Sequence, residues 1–357
     1  EGTYYFYCTD KSGNSSSTVN ITLDKTVPTG TLYGGTTTKS SGSYTNASYV
    51  KYTASDSLSG VNAIYVKMPG SSYYTSYSSG TQLATEGTYY FYCVDKAGNQ
   101  SSTVSITLDN TKPKGTLYAG SSSTTSGSRT NASSVKFTAT DAIGLSTIYV
   151  KKPGATGYTS YTSGTALTAE GTYSFYATDL AGNQSDTYTI TVDRQTPNAQ
   201  LWADDDVVSS GTYTNAEYVS FQCDETCYVK MPGATSFVSY VSGTEFNKIG
   251  KYVFYGVDAA GNSTGEYTVI IDRTSKQVNI SNVTSGSTNG DVVISWTNGD
   301  ANSFAPIKSV TVNGKAISNG ATIHTIDTGK YIVKVVDMAG KEVGSMELSD
   351  KVFAANV

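Results

Sequence analysis

The chain has 357 residues, a formal net charge of -5 at pH 7, 15% charged residues, 35 Gly, 29 Tyr and only 10 Phe. This mixture is rich in strand and turn formers and poor in helix formers, so an all-β protein is expected. The small charge is spread along the chain without a Lys/Arg cluster, and no run approaches the roughly 18 apolar residues of a membrane span, so neither nucleic acid nor a membrane is expected as a partner.

The first predicted element is a strand and hairpin at Glu1, EGTYYFYCTDKSGNS. It recurs at Glu86 as EGTYYFYCVDKAGNQ, at Glu170 as EGTYSFYATDLAGNQ, at Ile249 as IGKYVFYGVDAAGNS and faintly at Thr328 as TGKYIVKVVDMAGKE. The matching glycines Gly2, Gly87, Gly171, Gly250 and Gly329 set a period of about 80 to 85 residues, too long for a solenoid turn and the size of a small domain. Residues 1–24 thus supply only the last hairpin of a repeat, and repeats follow at 25–109, 110–193, 194–272 and 273–357. That hairpin leaves Tyr4, Phe6, Cys8, Val19, Ile21 and Leu23 without an opposing sheet and is marginal alone. The chain opens inside a repeat, so an export signal or wall anchor is expected outside it.

Within 110–193 the expected order begins with a strand around Gly115 to Tyr118 and the turn box Arg129-Thr130-Asn131-Ala132, which matches YTNA at Tyr44 and Tyr213. Asn suits that turn because it tolerates left-handed backbone angles. A strand with Val135, Phe137 and Ala139 facing inward follows, then a strand Ile148 to Lys151, a Pro153-Gly154 turn and a Tyr/Thr/Ser segment from Tyr158 to Tyr161. In the repeated strand Tyr173, Phe175 and Ala177 share one face, and the turn Asp179 to Asn183 returns the chain to a last strand with Ile190 and Val192 inward. About seven short strands per repeat read as an antiparallel β-sandwich.

The joints are DKTVP at Asp24, DNTKP at Asp109, DRQTP at Asp193 and DRTSK at Asp272. Proline stiffens the first three, so the joint from Arg273 to Lys276 is expected to be the most flexible. Together, the DxTxP joint, the TN box, G-T-Y-x-F-Y leading into D-x-A-G-N, and the closing V-x-I-T-L-D resemble tandem bacterial Ig-like repeats of exported surface proteins. The resemblance covers nearly the whole chain; 273–357, with Val292, Ile294, Trp296 and the NGK at Asn313, looks like a more typical member, and 25–272 carry a longer Tyr-rich insert. It implies end-to-end sandwiches forming a monomeric rod on a bacterial cell surface, attached to the wall, with a stalk or adhesive role and no enzymatic activity. The alternative it leaves open is that the repeats themselves bind a glycan or a host surface protein.

Three groups of residues are candidate sites. Cys223 aligns with Ala139 and Cys227 with Ile148 while the loop between them shrinks to three residues, so both face inward beside a tight turn. A disulfide is favoured in the oxidising setting that export implies, ahead of reduced buried thiols and of metal or redox chemistry. Cys8 and Cys93 occupy one equivalent position and are read as free and buried in their own cores. If Phe91 and Cys93 face inward, then Tyr90 and Tyr92 face solvent beside Tyr65, with Tyr149 and Tyr176, then Tyr228 and Tyr255, at equivalent positions. Such rings could stack on sugars or anchor a protein, or could strengthen the sheet as cross-strand pairs. The joint aspartates Asp24, Asp109, Asp193 and Asp272 are read as turn caps, Asp204 to Asp206 as a solvated loop, and the single histidine, His324, as structural; no metal or other cofactor is expected.

Overall fold

The computed structural model describes residues 1–274, 278–281, 292–296, 305–323, 331–340 and 342–348. His324 and the Lys276 end of the last joint lie outside them. The chain divides into two compact units, Glu1–Asp193 and Arg194–Val357. The elements in the described residues are strands, and no helix there is long and apolar enough to cross a membrane.

In the first unit, β1 (Gly2–Phe6) and β2 (Val19–Leu23) form a two-stranded hairpin. Eight strands then build the 25–109 repeat: β3 (Thr29–Gly34), β4 (Thr37–Lys39), β5 (Ser43–Thr45), β6 (Val50–Ser55), β7 (Val61–Lys67), β8 (Thr75–Tyr77), β9 (Gly87–Asp95) and β10 (Val104–Leu108). One sheet has the order β4-β3-β6 and the other β5-β10-β9-β7-β8. Period-two alternation aims Leu32, Val50 and Tyr52 of the first sheet at Ile64, Val66, Phe91, Cys93 and Ile106 of the second, making a core of the repeat's own residues. The Tyr52 and Phe91 rings stack across it with centroids 5.0 Å apart.

The same positions carry Phe137 against Phe175 in 110–193, and Phe221 against Phe254 in 194–272, each pair within a separate core cluster. Each of these three repeats is therefore a two-layer, Ig-like sandwich. A buried tyrosine near the start of the repeated strand fixes its corner, as Ig-type sandwiches require. The hydroxyls of Tyr89, Tyr173 and Tyr252 donate to the carbonyls of Thr85, Ala169 and Lys248 at 2.6, 2.9 and 2.8 Å.

Four local features differ from the sequence reading. First, the sheets are not wholly antiparallel: β5 lies parallel to β10, with Ser43 opposite Ile106, because the chain crosses from one sheet to the other after β4. Second, Asn46, Asn131 and Asn215 are not left-handed; among the described non-glycine residues only Asp204 and Asn313 have positive φ. The turn box is held instead by threonine, whose Oγ1 accepts the N–H two residues on, from Ala47 to Thr45 at 3.3 Å, with the same bond at Thr130 and Thr214. Third, Cys8 is exposed rather than buried, because among the described residues β1 and β2 pair only with each other and no second layer covers them; Phe6 and Ile21 are also exposed. Fourth, Asp204 is more than a solvated loop residue, since its carboxylate accepts the N–H of Glu217 at 2.8 Å and of Tyr218 at 3.2 Å.

In the 273–357 region, strands Val278–Ser281, Val292–Trp296 and Ala321–Ile323 form one sheet. Ile307–Val312, Lys315–Ile317, Tyr331–Asp337 and Glu342–Leu348 form the other. Asn313 and Gly314, with φ of 49° and 79°, make the two-residue turn between Val312 and Lys315 that an Asn-Gly pair favours.

Candidate functional site

The tyrosines named from strand parity sit on the outer face, opposite one another in register: Tyr65 faces Tyr92, Tyr149 faces Tyr176 and Tyr228 faces Tyr255. Each pair stacks with centroids 4.8 to 4.9 Å apart. A third ring from the insert after β7 and its counterparts closes each pair edge-on: Tyr74 on Tyr92, Tyr158 on Tyr176 and Phe237 on Tyr255. All six paired tyrosines are therefore half-buried, and burial, with the neighbouring phenols second, pushes the Tyr92 and Tyr176 hydroxyls above their ordinary value.

Tyr90 stands apart from this cluster. It is half-buried under Lys67, whose Nζ lies 4.2 Å from the ring centroid. Of the two arrangements the sequence left open, the paired rings take the cross-strand one, as three self-packed triplets, because the insert folds back as an edge strand and covers ring faces with its own aromatic. Tyr73, 68% exposed, is the ring of the insert that the triplet leaves open.

The structure joins Cys223 to Cys227 in a disulfide with Cα atoms 6.3 Å apart, within the span such a bridge needs. The register reproduces the alignment that singled them out: Cys223 lies opposite Ala199 as Ala139 lies opposite Gly115, and Cys227 opposite Gly256 as Ile148 opposite Ala177. Cys93 is fully buried, with Sγ 3.5 Å from the Tyr52 hydroxyl.

The joints of the first unit are more elaborate than turn caps. Asp24 and Asp109 do accept the N–H groups of Thr26 and Thr111 through Oδ1, at 3.0 and 3.1 Å. The glutamate that begins the repeated strand grips the same turn: Glu1 accepts from Lys25 N–H and Thr26 Oγ1, and Glu86 from Asn110 N–H and Thr111 Oγ1. Asn99 of the D-x-A-G-N turn uses one amide nitrogen twice, donating to Asp95 Oδ2 at 2.7 Å and to the carbonyl of Asp24 at 3.1 Å. Asn183 does the same to Asp179 and to the carbonyl of Asp109, at 2.8 and 2.9 Å. Positive φ in that turn comes from Gly98 and Gly182, which frees the asparagine for this bridge. Nothing in the local sequence marks the bridge, because its two ends are 75 and 74 residues apart.

Two carboxylate triads sit at these joints. One oxygen each of Asp24, Asp56 and Asp95 lie within 4.8 Å of one another, and so do oxygens of Asp109, Asp141 and Asp179. Asp56 and Asp141 follow the strand that begins at Val50 or Val135, and each folds its loop by accepting two backbone N–H groups through Oδ1. Burial, reinforced by Asp141, Asp179 and Glu86, pushes the Asp109 carboxyl above its ordinary value against the pull of the Thr111 N–H. Hydrogen bonding by Ser59, then by Thr26, holds Asp24 below its ordinary value.

No family model and no curated protein matches the chain. Among solved structures, the human desmocollin-1 ectodomain aligns over 98% of this chain and 85% of its own, at 12% identity and a TM-score of 0.16. The sialic acid binding region of a Streptococcus sanguinis adhesin aligns over 94% and 100%, at 11% and 0.17. A Bacteroides ovatus mixed-linkage glucan utilization protein, SGBP-B, aligns over 87% and 92%, at 12% and 0.16. Similarity at this level brings neither a family nor a function to the chain.

Proposed function

We propose that the chain is a non-enzymatic spacer region of an exported bacterial surface protein, which holds another domain away from its point of attachment. The observation that carries this reading is the pinning of each joint in the first unit: Asn99 and Asn183 reach back to the carbonyls of Asp24 and Asp109, so the hairpin and the two sandwiches after it, whose cores are separate, are tied by more than the chain itself. A tether needs independent modules and joints of limited freedom. Replacing residues 110–193 with an unrelated sandwich of equal length is expected to leave display of the attached domain on cells unchanged, read as antibody access to it. Loss of display in that replacement would overturn the spacer reading.

A second reading, binding of a glycan or host protein at the aromatic triplets, is favoured by the exposed Tyr73 beside the first of them. Glycan-array or host-protein binding that disappears in Tyr90→Ser/Tyr92→Ser, with the fold retained, would establish it in place of the spacer.

A further inference from the structure

We propose that the joints at the head of the 25–109 and 110–193 repeats each hold one hard divalent cation of the calcium class, ligated by Asp24, Asp56 and Asp95 in the first and by Asp109, Asp141 and Asp179 in the second. In each, three carboxylates arrive from three separate segments: the joint, the loop after the second long strand, and the turn after the repeated strand. The same three positions converge twice, so the arrangement belongs to the repeat design. Like charges this close repel strongly unless a cation or a proton intervenes.

Turn capping explains only part of these groups. Hydrogen bonds occupy both oxygens of Asp24, Asp95 and Asp179 and Oδ1 of Asp56, Asp109 and Asp141. Asp109 is 1% exposed, and its Oδ2 has no hydrogen-bond donor. A buried carboxylate oxygen without a donor is costly, and a metal ion is one of the few groups that can satisfy it in a cluster of acceptors. Protein cations do not fill this role: Lys112 pairs with Asp186 at 3.7 Å, and Lys112 and Lys114 line the open cleft of about 360 Å³ beside Asp141 without forming an ion pair to the triad. At the first joint the equivalent positions are Val27 and Thr29, and Lys96, which reaches Gly60 of the Asp56 loop, forms no ion pair to the triad among the described residues.

The donor set is all oxygen and carries three negative charges, which selects a hard cation and disfavours zinc or copper. Calcium accepts carboxylates in one- or two-oxygen modes and completes six to eight ligands with water and carbonyls, whereas magnesium demands a tighter octahedron. Water has access from the clefts at Asp56 and Asp141. Because Asp24 and Asp109 lie in the joint and the other ligands in the repeat that follows, the ion would fasten the same place that Asn99 and Asn183 bridge.

The test is equilibrium dialysis of the full chain, stripped with chelator, against calcium chloride alone. At least two calcium ions per chain are expected at low millimolar concentration, falling by one in Asp56→Asn and by one in Asp141→Asn; asparagine keeps the Oδ1 acceptor that folds each loop. Hydrogen exchange on the unaltered chain gives a readout that needs no variant: calcium should slow exchange in peptides spanning residues 24–28, 56–60, 109–113 and 141–144. Absence of binding, an unchanged count in either variant, exchange unaffected at these loops, or an equal response to magnesium chloride would overturn the assignment.

Discussion

Glycine stands at 256 where the preceding copies carry Cys93 and Ala177, and the Cys223–Cys227 bridge explains why. A Cβ there would lie 3.0 Å from Cys223 Sγ and 3.2 Å from its Cβ, tighter than most packed side chains, and a cysteine held in a bridge has little room to give way. Gly256→Ala should therefore cost about 1–3 kcal/mol by overpacking. Urea denaturation should show that cost shrinking in a Cys223→Ala/Cys227→Ala background, and an equal cost in both backgrounds would refute the explanation. A charged residue shows the same dependence on neighbours. Burial pushes the Asp258 carboxyl up, but hydrogen bonds from Asn262, from its side chain and backbone, with those of Ala260 and Gly261, outweigh it and hold the group below its ordinary value. A depressed carboxylate contributes stability that is present above the unfolded value and lost as pH falls through the folded one. Asp258→Asn should thus lower stability at neutral pH by about 1 kcal/mol. The gap should close as the pH falls below the carboxylate range; a gap independent of pH would show that charge is not its source.

At the scale of elements, the D-x-A-G-N turn does two jobs, reversing the chain through glycine and tying the joint through asparagine. Asn183→Ala removes a bond to the Asp179 carboxylate and one to the Asp109 carbonyl, so a loss of about 1–3 kcal/mol is expected. Limited proteolysis should then cut faster within residues 109–113, while Pro113→Ala, which leaves the bridge intact, should change the rate less. The reverse order would return the stiffness of the joint to proline. The insert between β7 and β9 likewise serves its own repeat. Tyr77 is buried and its hydroxyl accepts the N–H of Tyr52 at 3.0 Å, joining an edge strand of one sheet to an edge strand of the other. Tyr161 does the same for Phe137 at 3.2 Å. The tyrosine richness of the insert is thus partly structural, which leaves fewer rings for a ligand.

For the molecule as a whole, separate cores decide how damage spreads. Phe254 is fully buried in the cluster of 194–272 and stacks on Phe221, so Phe254→Ala should cost about 3–5 kcal/mol there. Hydrogen exchange across the 25–109 and 110–193 repeats should stay as in the parent chain, since those cores share no residue with it. Destabilisation spreading through residues 25–193 would mean one continuous cooperative core and would count against a chain of independent modules.

The sequence by itself determined the repeat length, the strands and their inward faces, and the pair of cysteines beside a shortened loop. These follow from period-two alternation and turn chemistry, which act between residues close along the chain. Even there, local chemistry misassigned the turn box, crediting Asn46 where the Thr45 hydroxyl makes the bond, because both residue types suit the same turn. Tertiary structure alone decided that Tyr74 closes the stacked pair of Tyr65 and Tyr92, that Asn99 reaches Asp24, and that Asp24, Asp56 and Asp95 converge. These contacts depend on how two sheets face each other and where one repeat meets the next, distances that exist only after the chain has closed loops of tens of residues.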